Sequence, residues 1–158
     1  MSNGDKLRKA FERMAMFPDI FVLNKQNNKV GEYFENEFEI NSLPIEFLEF
    51  MKISDGIEMD ELIVFSISQN KRLTMTYADY SSNNKINEYC NGFDIKQGDS
   101  KFFFFGCDKE GARYAFNKQS ADMSVYCLIP SQGREVIKYG CFSDLLLDMI
   151  EKHIENNI

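Results

Sequence analysis

One histidine, three prolines and no tryptophan occur in the 158 residues. The lone His153 falls near the end of the last predicted helix, where a cation suits the helix dipole. A single imidazole supplies neither a catalytic triad nor a His-rich metal site. The four cysteines, Cys90, Cys107, Cys127 and Cys141, include no pair two residues apart, so the spacing of a zinc site is missing. Met1-Ser-Asn-Gly-Asp-Lys holds no apolar signal core, so reduced thiols in a cytoplasmic protein are expected. No apolar run approaches the roughly 18 residues of a membrane span. No basic run is longer than a pair such as Lys71-Arg72, and 18 Lys and Arg stand against 25 Asp and Glu for a net charge of −7. Phosphate backbones repel such a surface, which argues against nucleic acid as partner. A basic protein is the complementary partner, and solubility is the plainer reading of the same charge.

Aromatic residues are plentiful: 15 Phe and 7 Tyr, within a hydrophobic fraction of 44%. That supports a large core in one domain spanning residues 1–158. The chain shows no internal repeat and no long linker. Leu7, Ala10, Phe11 and Met14 have the spacing of an amphipathic helix over 5–16, ended by Pro18. Residues 20–23 read as a short strand and 29–39 as a helix. Pro44 suits the first position of a helix whose stripe is Phe47, Leu48 and Met51, and Gly56 is placed to end it with positive φ. Segments 61–67 and 72–77 read as strands, and 81–98 as loop. Phe102 to Phe105 read as an interior strand, because alternation puts two rings on each face. A turn over Gly106 to Gly111, with positive φ expected at both glycines, leads into a return strand over 112–116, then strands over 125–129 and 135–139. Ser143 is the expected N-cap of a closing helix over 143–155. Helices first, strands in the middle and a helix last predict an α+β fold: a twisted, mainly antiparallel sheet with flanking helices.

Few constellations carry chemistry. Cys107 is the one candidate nucleophile, for a hydrolase, but its immediate charged neighbours are Asp108, Lys109 and Glu110, and the acids oppose a low thiol pKa. A small apolar role near a sheet end is the alternative. The loop 106–111 has glycines and a lysine but lacks the Gly-Lys-Ser/Thr end of a phosphate loop. Asp55, Glu58, Asp60 and Glu61 form an acidic run without the spacing of a calcium loop; Asp108 and Glu110 form a second acidic group. Both are candidate partner contacts, and a solvated face is the alternative for each. No catalytic residue, metal site or cofactor is assigned.

The order of these motifs resembles the SUKH superfamily, named for yeast cell-wall-assembly regulators and killer-toxin-resistance proteins. Its signature is similar to the helix over 30–38 followed by Leu43-Pro44, Phe47-Leu48 and Asp55-Gly56. The Phe102–Phe116 strand, turn and return, Val125-Tyr126, and Cys141-Phe142-Ser143-Asp144-Leu145-Leu146 resemble its later motifs. The resemblance covers residues 30 to 151, within a domain core of about 30–155. It departs in having Lys109-Glu110 where the family carries glycine, and in lacking tryptophan. The resemblance implies a non-catalytic binding domain: an immunity protein that neutralises a cognate secreted toxin, often a nuclease with a basic surface, or a regulatory or scaffolding domain of the same fold.

Overall fold

The computed structural model describes residues 2–24, 29–38, 43–67, 102–117, 124–129 and 134–158. The expected strand over 72–77, the loop over 81–98 and Cys90 lie outside them. Among the described residues, four helices, α1 (Asn3–Ala15), α2 (Val30–Phe38), α3 (Ile45–Ile53) and α4 (Phe142–Asn157), accompany six strands: β1 (Ile57–Glu58), β2 (Ile63–Val64), β3 (Phe102–Cys107), β4 (Arg113–Asn117), β5 (Val125–Ile129) and β6 (Arg134–Tyr139). The strands form one sheet in sequence order, every neighbouring pair antiparallel. This is the α+β antiparallel fold that the sequence predicts.

The Phe ribbon lies inside that sheet. β3 pairs with β2 on one side and β4 on the other, and all four rings are buried. Phe103 packs edge-on to Phe34 of α2, while Phe105 meets Phe47 of α3 and Phe142 of α4. Phe102, on the opposite face, packs against Tyr126 of β5. Phe47 is the hub, with ring centroids of Phe116 and Phe142 each 5.2 Å away. Tilted and edge-on contacts of this kind add about 0.5–1.5 kcal/mol each to the burial of the rings.

Glycines fit where backbones crowd. The sequence puts Gly106 in the turn with positive φ; it belongs instead to β3, beside a bulge between Phe104 and Gly106. A Cβ there would stand 2.7 Å from the Ile63 carbonyl oxygen. At the bulge, the Phe105 carbonyl accepts from Phe65 N–H at 2.9 Å. Gly111 does have positive φ, 105°. Gly56 has φ 78°, but α3 has already ended at Ile53 with Ser54 as its C-cap. A side chain at Gly56 would collide with the Val64 carbonyl, 2.6 Å from its Cβ.

Other expectations shift by a residue or more. Residues 20–23 form a turn and connector outside the sheet, not a strand. Of the 61–67 segment, β2 takes Ile63–Val64. Pro44 is the N-cap of α3 rather than its first residue. Cys141, not Ser143, caps α4; Ser143 is buried and its hydroxyl donates to the Asn3 carbonyl at 3.1 Å.

α1 and α4 run side by side in the same direction. Asn3 meets Ser143, Lys6 pairs with Asp144 at 2.9 Å, and Arg13 holds Glu151 through two nitrogens at 2.6 and 3.2 Å. Two helix N-termini therefore share one end, and acids gather there, as the helix dipoles favour. Ser2 accepts from Asp5 N–H to cap α1. Glu46, buried in the first turn of α3, faces the amides of Phe142 and Ser143 at the start of α4. Burial pushes the Glu46 carboxyl above its ordinary range, more than those amides and the Ser143 hydroxyl pull it down.

Candidate functional site

The two acidic segments read from the sequence meet at one corner. Antiparallel pairing of β2 with β3 puts Ile63 opposite Cys107, so the β1–β2 turn lies beside the β3–β4 turn. Lys109 Nζ, 3.7 Å from Glu58 Oε1, links them. Glu58, Asp60 and Glu61 thus share a surface region with Asp108 and Glu110. Asp55 does not join them. It is 1% exposed, and its Oδ1 accepts from Ile67 N–H at 2.7 Å, so it ties the two ends of the β1–β2 hairpin together.

Three of the remaining acids have local roles. Asp108 Oδ1 accepts from the amides of Glu110 and Ala112, both at 2.9 Å, and so builds the turn that carries it. Glu61 pairs with Lys152 of α4 at 3.7 Å. Asp60 Oδ2 accepts from Asn157 Nδ2 at 2.8 Å. Glu110 is exposed.

His153 is a correction to the sequence reading. It is not an exposed cation at a helix end but a buried bracket, 8% exposed. Its Nδ1 accepts from Asp60 N–H at 3.1 Å, and its Nε2 lies 2.9 Å from the Ile20 carbonyl oxygen. A carbonyl only accepts and a backbone amide only donates, so these two bonds use Nε2 as the donor and Nδ1 as the acceptor. Phe21 packs against its face, with ring centroids 5.0 Å apart. Partners 133 and 93 residues away in sequence left no local signal of this role.

Asn24, which sequence reading passed over, closes the corner from behind. Its backbone N–H donates to Ser54 Oγ at 2.9 Å, and Nδ2 donates to the Asp55 and Gly56 carbonyls at 3.2 and 3.1 Å. Between Asn24, Glu58, Asp60, Lys109 and His153 lies a polar cavity of about 210 Å³, with Ile20, Val22 and Met59 completing its wall.

Cys107 sits beside this corner but faces the core. It is 1% exposed, and burial pushes its thiol up to about 11. A thiol held that high supplies almost no thiolate at neutral pH. Among the described residues, no three His, Cys, Asp or Glu side chains converge to hold a metal ion, and no helix is long and apolar enough to cross a membrane. A larger cleft of about 680 Å³ between α1 and α3 is lined by Leu7, Phe11, Met14, Phe21, Leu23 and Ile53 among others. Its charged lining residues are Arg8 and Glu49, so it offers apolar area with little directional chemistry. No known protein-family profile matches the sequence, and neither does any curated protein sequence.

Proposed function

We propose that this chain is an immunity protein of the SUKH type, which binds a cognate secreted toxin in the cytoplasm and blocks it. The observation that carries the reading is the corner itself. Acidic segments some 50 positions apart in sequence converge around Glu58, Asp60 and Glu61 on one side and Asp108 and Glu110 on the other. With a net charge of −7, this surface suits a partner that is basic around its active cleft, as a nuclease is. Charge of this kind speeds encounter and sets register, while apolar anchors hold the complex.

The test is co-expression with the product of the neighbouring gene, followed by a growth assay and stopped-flow association. The chain should rescue growth, and the association rate should fall about tenfold or more as salt rises from low to physiological strength. A partner that binds at a salt-independent rate, or growth that the chain does not restore, overturns the reading. Cys107→Ala should protect as well as the parent; loss of protection in a folded variant would favour a hydrolase instead.

A further inference from the structure

We propose that the cleft between α1 and α3 is a binding site for one linear alkyl chain ending in a carboxylate, a ligand of the fatty-acid type. Such a site stands whether or not the chain is an immunity protein.

The lining sets the shape of the ligand. Gly4, Leu7, Arg8, Phe11, Met14 and Ala15 border the cleft from α1, and their spacing of three and four residues puts them on one side of that helix. Gly4 and Ala15 are 11 residues apart, a rise of about 17 Å. The volume of about 680 Å³ falls within the roughly 300–1,000 Å³ of small-molecule sites. Divided by a length of about 17 Å, 680 Å³ leaves a section of about 40 Å², a channel about 7 Å wide. A helix with its side chains is about 10–12 Å across, so a helix from a partner protein is too thick. A single alkyl chain fits, with wall carbons on either side at about 4 Å.

The chemistry of the walls suits the same ligand. Phe11 stacks on the Phe50 ring, 5.7 Å away, so the α1 wall is anchored to the core. Leu23 and Ile53, which line the far end, are 39% and 37% exposed. That apolar area lies in water until something covers it, and covering it is favourable without any directional bond. An alkyl chain asks for no such bond.

Charge complementarity sets the end group. Glu49 is answered within α3 by Lys52, at 3.3 Å. Among the described residues the partner of Arg8 is Asp5, at 3.6 Å, with both side chains more than half exposed. Such a pair is weakly held, and Asp5 keeps the Ser2 hydroxyl at 2.8 Å when the guanidinium turns away. Arg8 is therefore the group able to take a ligand carboxylate on its fork of donors. It stands one turn from Gly4, so the alkyl chain runs from there past Phe11 and Ala15 toward Leu23.

Decanoate is the probe. Butyrate, the head without the chain, and 1-decanol, the chain without the charge, are the controls. Titration followed by methyl NMR should show saturable binding of decanoate, with shifts at Leu7, Met14, Leu23 and Ile53. Butyrate should shift none of them, and 1-decanol should bind about fivefold more weakly, as expected for one exposed charge pair. Arg8→Gln should weaken decanoate by the same factor and leave 1-decanol unchanged. Ala15→Trp, at an exposed position of the lining, narrows the channel and should weaken both ligands by about tenfold or more. Ile53→Lys puts a charge into the far wall and should do the same, so either variant serves if the other fails to fold. Shifts that do not saturate or that fall outside the cleft overturn the proposal. So does affinity for decanoate that is unchanged in Arg8→Gln, or that survives both Ala15→Trp and Ile53→Lys. Dimerisation on concentration that shifts the same methyls, with no response to decanoate, would give the cleft to a second copy of the chain and also overturns it.

Discussion

The aromatic core and the polar corner are held by different forces, although β3 runs from one into the other. Along its phenylalanines the strand is fixed by area: rings of Phe47, Phe105, Phe116 and Phe142 interlock, and no single contact is directional enough to be decisive. At its Cys107 end the chain is fixed by individual hydrogen bonds: turn amides donate to Asp108, Asp60 N–H donates to His153, whose other nitrogen meets the Ile20 carbonyl, and Asn24 donates to the Asp55 and Gly56 carbonyls. Dense packing tolerates small shifts and punishes lost volume. A hydrogen-bonded corner depends instead on each partner being present, which is the kind of surface on which recognition can be built.

The largest expected effect tests the packed side. Phe105→Ala should cost about 3–5 kcal/mol in chemical denaturation, the usual range for a buried phenylalanine. A cost under about 1 kcal/mol would show that the ribbon does not organise the core. Next come two glycines, which separate the cost of close approach from that of backbone conformation. Gly56→Ala meets both an unfavourable φ and a carbonyl 2.6 Å from the new Cβ, and should cost about 3 kcal/mol. Gly111→Ala, at the corner turn, meets the φ penalty alone, with nothing within 4 Å, and should cost about 1 kcal/mol. Equal losses would mean that close approach contributes nothing at Gly56.

His153→Ala strips the corner of two bonds and should cost about 2 kcal/mol, about 1 for each. In the parent chain, nitrogen-15 NMR should find the proton on Nε2; a proton on Nδ1 would break the assigned bond from Asp60 N–H. The smallest effect, and the most diagnostic of charge, concerns Glu46. Its folded carboxyl is raised above its ordinary value of 4.5, so the folded state binds the proton more tightly than the unfolded chain. The stability this adds is present in full below about pH 4.5 and is lost as pH rises through the folded value. Glu46→Gln should therefore be more stable than the parent at pH 7, with the gain vanishing in acid. A variant less stable than the parent at pH 7 would show that the amides of α4 outweigh burial.

The same division explains what was legible in the sequence. Period and composition report local geometry, so the helices over residues 3–15, 30–38 and 45–53, the buried Phe strand and its return were readable directly. Contacts between distant segments leave no such mark. Gly106 looked like turn punctuation because the Ile63 carbonyl that demands it lies 43 positions earlier. His153 looked exposed because Ile20 and Asp60 come from other parts of the chain. Asp55 looked like one more surface acid, whereas it is bonded inside the hairpin to Ile67. The acidic candidates were visible as charge, but only strand pairing shows that two groups of them are neighbours.

The parallel seating of α1 on α4 bears on synthesis. α4 contributes Phe142, Leu145, Leu146, Met149, Ile150 and Ile154 to the core, and α1 rests largely upon it. On the ribosome, α1 emerges long before α4 and lacks that support until α4 has cleared the exit tunnel. Folding of this chain is thereby deferred until after translation of its closing helix, and a stalled, shortened product would carry its phenylalanines uncovered into the cell's quality-control machinery.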